Sequence, residues 1–378
     1  MSQADHAPFG PSSISRVIQC PGSWRLCQQY PGDPEGPEAA EGTAAHWVLA
    51  EMYKGVALEA GTLAPNGIPV TEEMLEGAEM FIDAVGHKMG HIEERMPASD
   101  MLHPDNWGTP DAWDYRPIPV PGTNIIGGVI KLPDYKFGHR FVDVFKNWQL
   151  INYARLIIDA LDLNGEQEQH TRIEFIIVQP RSYSPQGPVR KWSVLACDLR
   201  GEWNQIRSSI LLAQSEQATC WVGPECLDCS ARAFCTTLQR SSLAAIDESH
   251  RPTPMELPPP ALGLELRLIN RAIDRLKARA SGLQEVALAR VKSGTLIPGF
   301  RTEIGKGRER WNVPVAQIEA LGAMMNGMKL TKIEPITPRQ AVKAGLDAAV
   351  VAQFTITPAG ETKLVEDDGS MSLRAFAK

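Results

Sequence analysis

Apolar residues recur at helical spacing in several long stretches of the chain. These stretches predict helices over about 38–53, 72–94, 146–163, 199–219 and 261–293. In the third stretch the apolar positions share one helix face, which is expected to pack against a core. They are Leu150, Tyr153, Ala154, Ile157, Ile158 and Leu161.

Strand-like stretches alternate with these helices, at about 107–115, 124–131, 133–137, 171–178 and 189–196. The order of helices and strands predicts an α/β fold in the middle of the chain. A proline-rich stretch near residues 250–260 predicts a linker. The predicted domains are therefore residues 1–240, a linker over 241–260, and an α+β extension over 261–378. In that extension we expect a hairpin over 298–312 and a short helix opened by Thr337 and Pro338.

Composition and charge narrow the class of protein. The chain has 378 residues, 22% of them charged, and a net charge of −7. A protein that coats nucleic acid without sequence preference is usually basic, so any nucleic-acid contact must come from a local patch. No run of about 18 apolar residues predicts a membrane helix, and Met1–Gly10 lacks the regions of a signal peptide. We expect a cytosolic protein with no membrane partner.

Two aspartates occur where predicted strands begin or end, Asp111 in Gly-Thr-Pro-Asp and Asp134 in Pro-Asp-Tyr-Lys. Hard cations such as Mg²⁺ take oxygen ligands from carboxylates, and such a cation can support phosphodiester hydrolysis. Lys136 shares a strand face with Asp134 because side chains alternate with a period of two. It could orient a water molecule or balance phosphate charge. The alternative is that Asp-x-Lys is only a solvated strand end.

Three more side chains extend this pattern. His46 lies on the predicted helix 38–53 and is a candidate metal ligand, the alternative being a partly buried structural histidine. Gln149 and Tyr153 are four residues apart and therefore share one helix face. They could contact a DNA backbone, or Tyr153 could simply pack in the core.

The cysteines indicate a second centre. Cys226, Cys229 and Cys235 have the spacing C-x₂-C-x₅-C, which suits zinc or an iron–sulfur cluster. A fourth ligand is needed, and Cys20 is preferred over Cys27 and Cys220. A structural [4Fe–4S] cluster is favoured over Zn²⁺, and free buried thiols are the remaining alternative. Cys197 is expected to be a small buried hydrophobic residue.

The motifs Gly-Thr-x-x-His, Gly-Thr-x-Asp, Asp-x-Lys and Gln-x-x-x-Tyr, in this order, resemble the RecB-like nucleases of the PD-(D/E)XK superfamily. The likeness covers about residues 11–236. The opening Ser-Ser-Ile-Ser-Arg and Cys-Pro-Gly-Ser segments are most similar to an uncharacterised phage and prophage group of RecB-like proteins. The resemblance implies a restriction-endonuclease-like core, a mixed sheet flanked by helices. It also implies an iron–sulfur cluster that joins the chain's start to the end of the core.

The resemblance also implies a role for each motif residue. His46, Asp111, Asp134 and the backbone carbonyl of Tyr135 would bind Mg²⁺ or Mn²⁺, and Lys136 would complete the catalytic set with the two aspartates. The remaining roles are nucleic-acid contact by Gln149 and Tyr153, and cluster binding by Cys20, Cys226, Cys229 and Cys235. Glu41 has no implied role.

The implied activity is that of a DNA exonuclease or end-processing nuclease acting on linear duplex or single-stranded ends. It would serve phage recombination or replication in the bacterial cytoplasm, with a phage recombination protein as a further partner. The alternative from another class is a nuclease fold that has lost catalysis and acts as a DNA-binding or interaction module. A zinc-ribbon adaptor would explain only the cysteines.

Overall fold

The central part of the chain folds around a five-stranded mixed sheet. The computed structural model describes residues 7–32, 36–248 and 258–300, together with Asp347 and Ala349. The strands are β1 (His91–Ile92), β2 (Ala112–Pro119), β3 (Ile126–Tyr135), β4 (Thr171–Val178) and β5 (Val189–Leu195), which lie side by side in this order. β3 and β4 are parallel, and the other neighbours are antiparallel. The predicted mixed α/β class is confirmed.

Helices precede, connect and follow these strands. They are α1 (Ile14–Gln19), α2 (Gly22–Gln29), α3 (Pro37–Tyr53), α4 (Glu72–Val85), α5 (Trp148–Ala160), α6 (Gly165–Gln169), α7 (Arg200–Gln214), α8 (Thr236–Glu248) and α9 (Pro259–Lys292). α5 and α6 lie in the connection between β3 and β4, because parallel strands cannot be joined by a tight turn. None of the described helices is both long and apolar enough to cross a lipid bilayer.

The parallel strands β3 and β4 are largely buried on both faces because their apolar side chains alternate between two cores. In β4, Ile173, Phe175 and Ile177 join the core that includes α5 and α7. Ile176 and Val178 join the core that includes α3 and α4. A side-chain period of two produces this division. The sheet therefore separates an α5–α7 layer from an α3–α4 layer.

Two predicted elements end differently in the structure. The helix predicted over 72–94 stops at Val85, because Gly86 has a φ of 111°, a backbone conformation that favours glycine. The stretches 124–131 and 133–137 form one strand, β3. Pro133 is tolerated there because the pairing of β3 with β2 runs only to Lys131, so its missing N–H costs no bond to β2.

The chain divides into two compact units, residues 1–290 with 368–378, and residues 291–367. The predicted linker over 241–260 overlaps α8, which continues to Glu248, and α9 begins at Pro259. Most of the predicted hairpin, residues 301–312, lies outside the described residues, as does the helix predicted from Thr337.

Candidate functional site

Three strand ends lie side by side at one edge of the sheet, by which we mean the edge formed by the ends of the strands. Glu93 follows β1, Asp111 precedes β2 and Asp134 is the penultimate residue of β3. Because β1, β2 and β3 are successively antiparallel, these positions share an edge. His46 reaches the same edge from α3, and its Nδ1 lies 3.2 Å from Asp111 Oδ1 and 3.8 Å from Glu93 Oε1. With Lys136, these residues form what we call the strand-end centre.

His46, Glu93 and Asp111 offer ligand atoms that all lie within 4.8 Å of one another. One imidazole and two carboxylates are a donor set suited to a divalent cation. Burial would lower the pKa of His46, but the Asp111 carboxylate outweighs it and, with Glu93, raises that pKa to about 10. Burial likewise opposes ionisation of Asp111, and His46 nevertheless holds the pKa of Asp111 below its usual value. The imidazole therefore carries a proton beside two carboxylates, and a cation bound there would replace that proton.

Asp134, Lys136 and Gln149 form a second, adjoining network. Lys136 Nζ lies 3.1 Å from both Asp134 oxygens and donates to Gln149 Oε1 at 3.1 Å. Gln149 Nε2 is 3.4 Å from Asp134 Oδ1. Asp134 is 3% exposed, and its Oδ2 faces the Lys136 ammonium as an ion pair but accepts no hydrogen bond from the residues that the structure describes. Burial raises the pKa of Asp134 to about 6, against the opposing effect of Lys136. This oxygen is a buried acceptor that a cation would satisfy.

Backbone and core contacts hold the two networks together. The amide of Tyr135 donates to Asp111 Oδ2 at 2.6 Å. The buried Tyr135 ring lies edge-on to His46, with 5.4 Å between ring centroids. Tyr153 donates its hydroxyl to the carbonyl of Thr109 at 2.9 Å and is only 6% exposed. Tyr153 thus packs in the core and positions the segment that leads into Asp111.

Gly108, in the same segment, permits this packing. A Cβ atom at that position would lie 2.8 Å from Pro11 Cδ and 3.0 Å from the Tyr153 ring. Glycine is therefore required where the chain approaches Asp111.

Glu93 is the ligand candidate that the sequence did not indicate. The apolar positions Met89 and Ile92 continue the helical spacing of α4, so this residue was expected inside a helix. Instead its backbone has a φ of 49°, and its amide donates to the carbonyl of Asp111 at 3.0 Å. Gly86 and Gly90, both inside the predicted helix, are the signal that could have indicated the break.

Glu41 has a positional role. Arg181 donates to its two carboxylate oxygens at 2.8 and 2.9 Å, and also to Glu73 at 2.8 and 3.0 Å. The guanidinium lies 3.8 Å from the centre of the Phe137 ring. These contacts connect α3, α4 and the residue that follows Lys136. Hydrogen bonding from Arg181 holds the pKa of Glu41 below its usual value.

The cysteines gather where the start of the chain meets residues 220–235. Five of the seven line one cavity: Cys20, Cys220, Cys226, Cys229 and Cys235. The Sγ of Cys27 lies 3.6 Å from that of Cys229, and the Cys220 thiol hydrogen-bonds with Cys20 and Cys235. We call these six residues the cysteine cavity. It contains all four predicted ligands, and Cys27 and Cys220 in addition.

Cys197 was predicted to be buried, and this is wrong. It is partly exposed, because it lies in the 3₁₀ turn Ala196–Leu199 that follows β5.

Backbone contacts hold the cysteine cavity together across the length of the chain. The amide of Gly22 donates to the carbonyl of Thr219 at 3.0 Å, and a Cβ atom at Gly22 would lie 2.6 Å from that residue's backbone. Hydrogen bonds between thiols lower the pKa of Cys27 to about 5, of Cys235 to about 6 and of Cys20 to about 7, and they raise the pKa of the partners Cys220 and Cys229, while burial raises that of Cys226. Thiolates are soft ligands, so a close group of thiols fits a soft metal or cluster.

A family described as a protein of unknown function (DUF2800) matches residues 6–370. The match spans nearly the whole chain, and the chain belongs to this family.

Proposed function

We propose that this member of the DUF2800 family is a metal-dependent deoxyribonuclease built on a PD-(D/E)XK core. One observation carries the proposal. His46, Glu93 and Asp111 converge at a strand edge beside a buried Asp134–Lys136 pair. A cation-binding set next to a paired carboxylate and lysine suits metal-dependent phosphodiester hydrolysis.

The architecture supports the same reading. A mixed sheet between two helical layers matches what the resemblance to RecB-like nucleases implies. α3 brings His46, and α5 brings Gln149, to the edge where Asp111 and Asp134 lie. Residues more than a hundred positions apart in the sequence, such as His46 and Gln149, thus lie near the same two aspartates, which supports the proposal.

His46, Glu93 and Asp111 would hold Mg²⁺ or Mn²⁺, with Asp134 and the Tyr135 carbonyl as further ligands. A bound cation would stabilise charge developing on the phosphate and lower the pKa of a water molecule. Lys136 would orient the attacking water or balance phosphate charge. Gln149 accepts from the Lys136 ammonium and so fixes its direction. Tyr153 acts through the Thr109 carbonyl and keeps Asp111 in place.

The substrate and setting rest on the resemblance. The proposed activity is exonucleolytic or end-processing, on linear duplex or single-stranded ends. It would serve phage recombination or replication in a bacterial cytoplasm, beside a phage recombination protein.

For the cysteine cavity we propose a structural [4Fe–4S] cluster on Cys20, Cys226, Cys229 and Cys235, with Zn²⁺ as the alternative. The lining of one cavity by all four thiols supports this set. Freshly purified protein should absorb broadly in the visible range. Colourless protein that contains stoichiometric zinc would show that these cysteines bind zinc and not an iron–sulfur cluster.

The test is digestion of linear duplex and single-stranded DNA with Mn²⁺. Asp134→Asn and Lys136→Gln should each reduce cleavage by about a hundredfold or more. Asp114→Asn and Lys131→Gln are matched controls, since these residues face each other on β2 and β3 away from the strand-end centre. Equal cleavage by all five proteins would reject the site. If the wild-type protein binds DNA but does not cleave it, the alternative of a nuclease fold that has lost catalysis is favoured.

A further inference from the structure

The long helix α9 carries a repeating apolar stripe. Leucine, isoleucine and alanine recur along it at alternating intervals of four and three residues: Leu262, Leu266, Ile269, Ile273, Leu276, Ala280, Leu283 and Ala287. These residues, which we call the α9 seam, occupy the a and d positions of about four heptads. An apolar repeat of this period is typical of a helix that pairs with another helix in a coiled coil.

The face of α9 opposite the seam already packs against the rest of the chain. Ala278 is fully buried, and a Cβ atom at Gly282 would lie 2.8 Å from the backbone nitrogen of Ala233. Arg279 donates to the carbonyl of Ala233. At 3.6 residues per turn, Ala280 points about 160° away from Ala278. The seam is therefore not the face by which α9 attaches to its own chain.

Most of the large side chains in the seam are open to solvent. Leu276 is half-buried, and five others are between 38% and 55% exposed: Leu262, Leu266, Ile269, Ile273 and Leu283. Burial of a leucine or isoleucine side chain is strongly favourable compared with exposure. A continuous row of exposed aliphatic side chains therefore indicates an interaction surface.

The seam is complementary to a second copy of itself. Two α9 helices that run antiparallel about a point between Asp274 and Arg275 bring each seam alanine opposite a leucine or isoleucine. The facing pairs are Ala280 with Ile269, Ala287 with Leu262, Leu266 with Leu283, and Ile273 with Leu276. A parallel pair would instead set each alanine against the same alanine of the partner subunit, which leaves those layers poorly filled.

The flank of the seam that faces solvent is also compatible with this pairing. Its residues are Gly263, Asn270, Lys277 and Gln284, all of them exposed. In the antiparallel pair Lys277 faces Asn270, so no like charges meet across this flank. A helix that lies on a membrane buries a broad apolar face, whereas these polar residues limit the width of the seam. The seam therefore suits another helix better than a lipid surface.

We propose that two copies of this chain associate through α9, which pairs with α9 of the partner subunit as an antiparallel two-stranded coiled coil. Both subunits use the same surface, so the interface closes on itself and the assembly stops at a dimer. The inference does not depend on the proposed hydrolysis.

Sedimentation equilibrium of the whole chain over a series of concentrations tests the association. Wild-type protein should reach about twice the chain mass of 41.5 kDa. Ile269→Glu combined with Ile273→Glu places charge at the centre of the seam and should raise the dissociation constant by about a hundredfold or more. Leu264→Glu is the matched control and should leave the mass unchanged. Leu264 is a similarly exposed leucine of α9, but it lies eighteen residues, or five turns, before Gly282 and so on the face opposite the seam.

Two further measurements separate loss of pairing from loss of folding. Far-ultraviolet circular dichroism should show that the double variant keeps its helices, because the substituted side chains face solvent in the single chain. Ile269→Cys combined with Ala280→Cys, under mild oxidation, should give a disulfide between position 269 of one copy and position 280 of the other. Mass spectrometry of the joined peptides identifies this bond.

Wild-type protein that stays monomeric at every concentration would overturn the inference, and the seam would then be covered by this chain's own residues or by another partner. A dimer that the double variant leaves intact, or that Leu264→Glu weakens equally, would place the interface elsewhere and overturn it as well. Disulfides that join position 269 to 269 and 280 to 280 would show parallel helices and reject the proposed pairing.

Discussion

The strand-end centre and the cysteine cavity both gather candidate metal ligands, but the chain assembles them differently. The strand-end centre is held by sheet pairing, by the Tyr135–Asp111 hydrogen bond and by the Lys136–Gln149 contact. The cysteine cavity joins segments about two hundred residues apart, through backbone hydrogen bonds such as that of Gly22 to Thr219 and through the thiols themselves. Changes at the first should therefore alter chemistry more than folding, and changes at the second should mainly alter folding.

The largest effect is expected in the cysteine cavity. Cys20→Ser should abolish the bound metal and lower the free energy of unfolding by about 3 kcal/mol or more, as for loss of a long-range cross-link. Metal content and thermal denaturation measure this. Cys197→Ser is the control, because Cys197 contacts Asp198 and lies outside the cavity. If the Cys20→Ser protein is as stable as this control, the cysteine cavity does not contribute to folding as the comparison with the strand-end centre predicts.

Asp134→Asn should have the opposite effect on stability. The pKa of Asp134 is raised by burial from 3.8 to about 6, so its ionisation opposes folding above that pH. The variant should gain at most about 2–3 kcal/mol at pH 7, less the cost of leaving the Lys136 ammonium without its carboxylate, and the gain should shrink as the pH falls from about 6 towards 4. Denaturant unfolding across this range is the measurement. A destabilised variant at pH 7 would mean that Asp134 holds the fold together.

Removing the imidazole should weaken cation binding. His46→Gln should weaken Mn²⁺ binding by about ten- to a hundredfold, measured by calorimetry. His170→Gln is the matched control, since His170 precedes β4 at the opposite edge of the sheet. Unchanged Mn²⁺ affinity would exclude His46 as a ligand.

The smallest effect is expected for Arg181→Gln, which removes the bonds to Glu41 and Glu73. Glu41 is one-third exposed, so screening limits the loss to about 1 kcal/mol. Because the pKa of Glu41 is depressed, its part of the stabilisation should be present above pH 4.5 and disappear as the pH falls below it. The free energy of unfolding is measured at neutral and at acid pH for Arg181→Gln and for the control Arg172→Gln, in which the replaced side chain is exposed. A loss that persisted at acid pH would contradict this ion-pair account.

Much of the fold could be predicted because burial produces clear periods in the sequence. The predicted strand 171–178 coincides with β4, which is buried on both faces, and the helix predicted over 38–53 differs from α3 by one residue. Asp134 and Lys136 were expected on one strand face, and the structure brings both to Gln149.

What could not be predicted depends on contacts between distant residues or on a single backbone angle. Nothing in the local sequence shows that the Cys27 thiol meets Cys229, 202 positions away. Nothing in the apolar spacing shows that Gly86 turns the chain and leaves Glu93 free to reach His46.

The alternation at the end of β3 has a consequence for how the sequence of this family can change over time. Asp134 and Lys136 face α5, and Tyr135 between them faces α3. One residue inserted or deleted within β3 would exchange the faces of everything beyond it and send the Tyr135 ring to the position of the carboxylate. Length changes should therefore collect in the turn over 120–125, between β2 and β3, while the spacing from Ile126 to Lys136 stays fixed among homologues that keep the strand-end centre.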